Sequence, residues 1–143
     1  MAEVARIHLA PERGAERRLV QRAELRASWG IVGDVYAGPG ARQVVLYGAE
    51  SRTALESAAE PGLCYPRFRE NLLLEGLDPG TLELGARIRI ADVVLEVSEA
   101  RKRCWPECAL PRPACVIRDH VAFCIVVAGG AIDVGDRVEL LNP

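Results

Sequence analysis

The sequence has one lysine, Lys102, among its 18 cationic residues, and no excess of positive charge. Against 20 Asp and Glu, the 18 leave a formal charge of −2. That balance removes the case for a general nucleic-acid binder, which carries a basic stripe. No apolar run approaches the roughly 20 residues that a membrane helix requires. The first residues include Glu3 and Arg6 and lack the apolar core of a secretory signal. A cytoplasmic protein is expected, with neither nucleic acid nor membrane among its partners. A phosphate loop is missing as well. Gly30 to Gly40 is glycine-dense but lacks the closing Gly-Lys-Ser/Thr and a helix start behind it. The five cysteines (Cys64, Cys104, Cys108, Cys115 and Cys124) are odd in number, which a fully disulfide-paired secreted domain would not show. In a reducing compartment they are thiols that fill the core, bind metal or react.

What is present is a foldable chain. Half of its 143 residues are apolar, which excludes disorder, and the length predicts one domain over residues 1–143 able to bury about two-thirds of its unfolded surface. Val4 to Leu9 alternates as a strand and ends at a turn, Ala10 to Gly14. Residues 15–28 fit neither the helical nor the strand period. Gln43 to Tyr47 predicts a buried strand, and Ser51 to Glu60 a short helix stopped by Pro61-Gly62, with Ser51 or Thr53 as its cap. Asn71 to Leu74 is a further short apolar run. Arg87 to Ser98 reads as a hairpin with Ile88, Ile90, Val93, Leu95 and Val97 facing inward. Phe123 to Ala128 and the alternating Val138 and Leu140 supply the last strands. Leu82 to Ile90 and Ile132 to Leu140 echo one another, each an apolar lead-in, a glycine turn and an alternating strand. Six or seven short strands and one helix predict a mainly β protein: a closed or partly open antiparallel β-barrel with short helical insertions.

Chemistry concentrates between Arg101 and Arg118. Arg101, Lys102, Arg103, Arg112 and Arg118 stand there against Glu107 alone, a local +4 in a chain of net −2. The stretch also holds Cys104, Cys108 and Cys115, with His120 just beyond. Cys104 directly follows three cations, and nearby positive charge favours the thiolate, the form that acts as nucleophile or soft-metal ligand. Zinc held by Cys104, Cys108, Cys115 and His120 is an alternative, although the spacings after Cys108 match no standard pairing. Cys64 and Cys124 read as buried filler, and His8 and His120 as satisfied or surface residues. Arg67 to Leu72 sets arginine forks beside the Asn71 amide at a strand entry, a pattern suited to a planar polar ligand with a phosphate or to a plain surface turn.

Taken in order, Gly30-Ile31-Val32-Gly33-Asp34, Arg42-Gln43-Val44, Arg69-Glu70-Asn71-Leu72, Leu77-Asp78, Leu82-x-x-Gly85, Ile88-Arg89-Ile90, Leu95-Glu96-Val97, Arg103-Cys104 and Gly130-x-x-x-x-Gly135-Asp136 resemble a MOSC domain, the module named after the C-terminal domain of molybdenum cofactor sulfurase. The resemblance covers about Val4 to Leu141. It implies a β-barrel that binds a pyranopterin molybdenum cofactor, with Cys104 in the position of the cysteine that ligates molybdenum or carries sulfur. Arg69 and Asn71 match the family's Arg-x-Asn, whose Arg is expected near the cofactor phosphate, and the two are expected to hold the phosphate and the pterin ring edge. Ser51 is carried over as a further phosphate contact and Arg103 as a neighbour of the cofactor. Two positions depart from the pattern: Tyr36 stands where many members have His, and Arg103 where many stand-alone members have Pro. The companion domains of the larger reductases of N-hydroxylated bases are not in the sequence. The resemblance therefore leaves open a carrier that serves a molybdoenzyme, or a reductase that depends on a partner reductase protein.

Overall fold

The computed structural model describes residues 2–13, 16–57, 70–100 and 117–141. The inward set of the predicted hairpin is realised residue by residue. β7 (Arg87–Ile90) and β8 (Val93–Ala100) pair antiparallel about Ala91-Asp92. Ile88, Ile90, Val93, Leu95 and Val97 are buried while Arg87 and Arg89 face solvent. Alternation of this kind places one face of a pleated strand in the core.

The remaining strands are β1 (Glu3–Leu9), β2 (Arg18–Val20), β3 (Arg22–Arg26), β4 (Gly30–Ile31), β5 (Val44–Gly48), β6 (Leu72–Glu75), β9 (Ala122–Ala128), β10 (Gly130–Asp133) and β11 (Val138–Leu141), with one helix, α1 (Ala49–Glu56). Eight strands form a sheet in the order β11-β7-β8-β9-β5-β6-β1-β2, and β10-β3-β4 form a second sheet. The large sheet curls until β1 meets the approach to β11. Val4 N–H donates to Asp136 O, Gly135 N–H to Val4 O, and Val138 N–H to Ala2 O, around one bridge between Glu3 and Arg137. The result is a partly open, mainly β barrel, filled by Val4, Ile7, Leu46, Leu72, Ile90, Leu95 and their neighbours. Residues 15–28, of ambiguous period, supply β2 and β3.

The sheet is mainly antiparallel, as expected; among the described strands β5 and β6 run parallel, with α1 in the connection between them. Both faces of this pair are covered, one by the barrel core and the other by a second cluster of Tyr47, Leu55, Leu73, Ile117, Val121 and Phe123. That burial explains their unbroken apolar runs. The helix also begins two residues before Ser51, with Gly48 as its N-cap and no side-chain cap bond. Thr53 donates its hydroxyl back to Ala49 O instead. The buried strand passes straight into the helix, so the cap position is filled before either polar residue arrives.

The sequence echo proves to be a repeated corner. Ala86 N–H closes on Glu83 O and Asp136 N–H on Asp133 O. Gly85 and Gly135 adopt φ of +87° and +95°, a left-handed conformation open chiefly to glycine. The strands that leave the two corners, β7 and β11, then pair with each other, Ile88 opposite Leu140 and Ile90 opposite Val138. At the other side of the sheet, β8 and β9 close on the pair Ala100–Ala122. The connection from Ala100 to Ala122 thus starts and finishes on one rung, and its described part places Ile117 and Val121 in the second cluster.

Candidate functional site

The described residues bury four polar side chains, Asp34, Gln43, Glu70 and Asn71. Each belongs to one of the motif segments singled out in the sequence, and three are engaged chiefly with backbone or with one another. Asn71 Oδ1 accepts from Val45 N–H at 2.9 Å, while Nδ2 donates to His8 O and to Asp34 Oδ2, each at 3.3 Å. Asp34 Oδ1 accepts from Ala10 N–H. Gln43 donates to Gly40 O and accepts from Val126 N–H. Buried polar groups are costly unless bonded, and this set stitches β1, β5, β6 and β9 to the glycine-rich loop.

Glu70 is the exception, because its partners are charged. Arg52 of α1 bonds its Oε2, and its Oε1 lies 3.7 Å from His8 Nδ1. The Arg52 guanidinium also sits over the Tyr47 ring, 5.1 Å from its centroid. Burial lowers the His8 pKa below the usual imidazole value; Glu70 opposes that shift, and Arg6, Arg17 and Arg52 reinforce it. His8, Arg52 and Glu70 thus fasten α1 to the barrel. No sequence signal marked this trio, because its members lie in three separate segments.

At the carboxyl end of β5, residues Gly48, Glu50 and Ser51 line a cavity of about 140 Å³ together with Leu74, Leu77 and Asp78. Beside it, Asp78 is held from both oxygens. Its Oδ1 accepts from Gly80 N–H at 2.9 Å, and its Oδ2 lies 2.8 Å from His120 Nδ1. The two 3-10 turns that carry these residues, Pro79–Thr81 and Arg118–His120, pack so closely that a Cβ on Gly80 would stand 1.8 Å from Asp119 O and 2.7 Å from His120 Cα. A carboxylate on one imidazole nitrogen fixes the ring's orientation and leaves the other nitrogen for chemistry. A larger depression of about 670 Å³ is lined by Thr81, Leu84, Ala86, Leu140 and Leu141 among others.

Of the residues singled out in the sequence, Ser51 and Asn71 are described, and the structure does not bring them together. Ser51 follows the carboxyl end of β5, whereas Asn71 precedes the amino end of the parallel β6. Leu46 is level with Leu72 and Gly48 with Leu74, so the two residues face opposite ends of the pair, about 10 Å apart along the strands. Arg69, Arg103, Cys104, Cys64, Cys108 and Cys115 lie outside the described residues. Cys124 is fully buried, and burial pushes its thiol up to about 12, with Glu96 adding to the shift. It is an inert filler. Among the described residues no three His, Cys, Asp or Glu side chains cluster to hold a metal ion, and no helix is long and apolar enough to cross a membrane.

The fold has close counterparts. The YUAD protein from Bacillus subtilis superposes with a TM-score of 0.73 at 18% identity, over 97% of this chain and 94% of that one. YiiM from Escherichia coli gives 0.61 at 18% identity, over 99% of this chain and 69% of that one. YiiM from Geobacillus stearothermophilus gives 0.60 at 20%, over 99% and 76%. At these identities the likeness concerns the fold alone. No curated protein matches the sequence. The MOSC domain family model matches residues 6–139, nearly the whole described barrel, and the chain therefore belongs to the MOSC domain family, a family associated with molybdenum-cofactor binding and sulfur transfer.

Proposed function

We propose that this barrel binds a pyranopterin molybdenum cofactor, or carries sulfur for it, through Cys104. The observation that carries the reading is the end of the sheet at which two features meet. The polar cavity with Ser51 lies beyond β5, and the neighbouring strands β8 and β9 release and recover the Cys104-bearing stretch at Ala100 and Ala122. Ala122 is itself paired with Leu46 of β5. The segment that carries Cys104 therefore starts from Ala100 and ends at Ala122, at the end of the sheet where Ser51 stands. A cavity of about 140 Å³ accepts a phosphate-sized group rather than a whole ring system, since drug-sized ligands fill roughly 300–1,000 Å³. In size the cavity suits one end of the cofactor, and with the Glu50 and Asp78 carboxylates in its wall the neutralising of a phosphate there falls to Arg69 and Arg103.

In this reading Ser51 contacts the phosphate, and Arg69 and Arg103 supply the cations that neutralise it. Asn71, whose amide is spent on Val45, His8 and Asp34, holds the strand entry that follows Arg69. The Cys104 thiolate is favoured by Arg101, Lys102 and Arg103 and ligates molybdenum or holds a sulfane sulfur. When bound, the molybdenum supplies the redox centre. A carrier of this size would hand cofactor or sulfur to a molybdoenzyme, or work with a reductase protein.

The test is to purify wild type and Cys104→Ser from cells that make the cofactor. Molybdenum, zinc, pterin fluorescence and labile sulfur are then measured on one preparation. Wild type is expected to carry molybdenum and pterin or labile sulfur, and Cys104→Ser at least tenfold less. Absence of all three from wild type, or equal loading of the variant, sinks the reading. Stoichiometric zinc with unfolding by a chelator would replace it with a structural metal site.

A further inference from the structure

Among the described residues, β1 closes the barrel along only part of β11. Glu3 bridges Arg137 and Val138 N–H donates to Ala2 O, so one edge of β11 is covered as far as Val138. β7 covers the other edge, with Glu139 opposite Arg89 and Leu141 opposite Arg87. Backbone groups alternate in direction along an antiparallel strand. The N–H and C=O of Leu140 therefore point the same way as the Val138 N–H, away from β7, and no described residue bonds to either. An unpaired donor and acceptor on a strand edge form a template for another chain.

The apolar surface beside this edge is unfinished as well. Leu140 lies on the face of β11 that carries Val138 into the core, yet it is 58% exposed, and Leu84 is 69% exposed. Both line the depression of about 670 Å³, together with Leu82, Ala86 and Leu141. Two charged residues, Glu83 and Arg87, share the lining. Arg87 Nε stands 2.9 Å from Glu96 Oε1, so its charge is balanced. The Glu83 carboxylate has no partner among the described residues. One free strand residue, an apolar recess next to it and one unbalanced carboxylate specify an occupant with an extended backbone, an apolar side chain and a positive charge.

We propose that this open seam docks an extended segment of a partner protein, an apolar residue with lysine or arginine two positions away, by adding it to the edge of β11. The partner residue opposite Leu140 donates its N–H to Leu140 O and accepts from Leu140 N–H. Its side chain enters the depression between Leu84 and Leu140. Residues two apart on a strand share a face, so the cation stands on the same side as Glu83. The inference stands apart from cofactor binding, because the depression and the cavity at Ser51 have no lining residue in common.

The test uses the whole purified protein and fluorescein-labelled pentapeptides Lys-Thr-Φ-Thr-Lys, with Leu, Ile, Val, Phe or Met as Φ, read by fluorescence anisotropy. At least one is expected to bind saturably, and about tenfold more tightly than its counterpart with Glu in place of both Lys. N-methylation of the central residue removes a backbone donor and should weaken binding about tenfold. Glu83→Lys should reverse the charge preference, and Leu84→Ser should weaken every member of the set. Leu140→Pro deletes the outward N–H at a strand edge, where proline is tolerated, and should act like the N-methylated peptide. Should that variant fold poorly, the N-methylated peptide tests the same pairing on the wild-type protein. Failure of the whole set to bind overturns the proposal. So does equal binding of the N-methylated or Glu-flanked peptides, or binding that Glu83→Lys and Leu84→Ser leave unchanged. Wild-type protein that is dimeric, and monomeric as Leu84→Ser, assigns the seam to a second copy of the chain and overturns the partner-segment reading.

Discussion

Two polar regions of the barrel are built from similar residues and do opposite things. Asp34, Gln43 and Asn71 are almost wholly buried, and the side-chain atoms with which they stitch the fold find partners there. Asp78 and His120 are half open, and their pairing leaves Nε2 of the imidazole uncommitted among the described residues. A buried, saturated amide rigidifies a core, because losing any bond exposes the full desolvation cost of its partner. An oriented but unsaturated imidazole contributes little to stability and keeps its capacity for a ligand or a proton. Motif membership alone does not separate the two classes, for Asn71 and Asp78 both fall in segments that carry the family resemblance. The bonding does.

The contrast can be broken most severely at Asn71. Asn71→Ala leaves Val45 N–H, the His8 carbonyl and the Asp34 carboxylate without their partner. At about 1–3 kcal/mol for each unmade buried bond, with partial relaxation, a loss of about 3–5 kcal/mol is expected in urea unfolding. A variant within 1 kcal/mol of wild type would show that the amide is not structural.

Gly80→Ala probes the open region. The added Cβ must push the two 3-10 turns apart against Asp119 O, at a cost of about 1–3 kcal/mol for an overpacked contact. It should separate His120 from Asp78 as well. Thermal unfolding reads the first effect, and the ring-proton chemical shifts of His120 at fixed pH read the second. Unchanged ring shifts would mean that the turns do not set the pair.

The smallest effect concerns His8 at the border of the saturated region. Its folded pKa lies below the unfolded value of about 6.5, so between those two values the unfolded chain binds more protons. Stability then rises with pH across that window. The contribution is complete above about pH 6.5 and is lost as pH falls through the folded pKa. His8→Gln should flatten the slope of unfolding free energy against pH below 6.5 and leave the curve above 7 parallel to wild type. An unchanged slope would assign the acid sensitivity to other groups.

Much of the barrel was legible in sequence, where one physical signal sufficed. The Ile88, Ile90, Val93, Leu95 and Val97 alternation defined β7 and β8, and Gly85 and Gly135 marked the two corners. The parallel pairing of β5 and β6 was not legible, because strands buried on both faces show continuous apolar runs with no record of direction. The helix cap was misread because Gly48 carries no side-chain signal. For the candidate site, the sequence pointed to Ser51 and Asn71 without revealing that they face opposite ends of a strand pair. The 2.8 Å contact of His120 with Asp78 spans 42 residues, a separation at which no local pattern speaks.

The rung between Ala100 and Ala122 has a consequence for how such a protein can diversify. Because the strands are already joined below it, whatever chain is inserted there starts and finishes on neighbouring, fixed positions. The entropic cost of closing a loop grows only with the logarithm of its length. Insertions and deletions ahead of Ile117 thus leave the barrel's register and its second cluster untouched, and the rung behaves as a socket into which selection can fit different reactive segments without redesigning the scaffold.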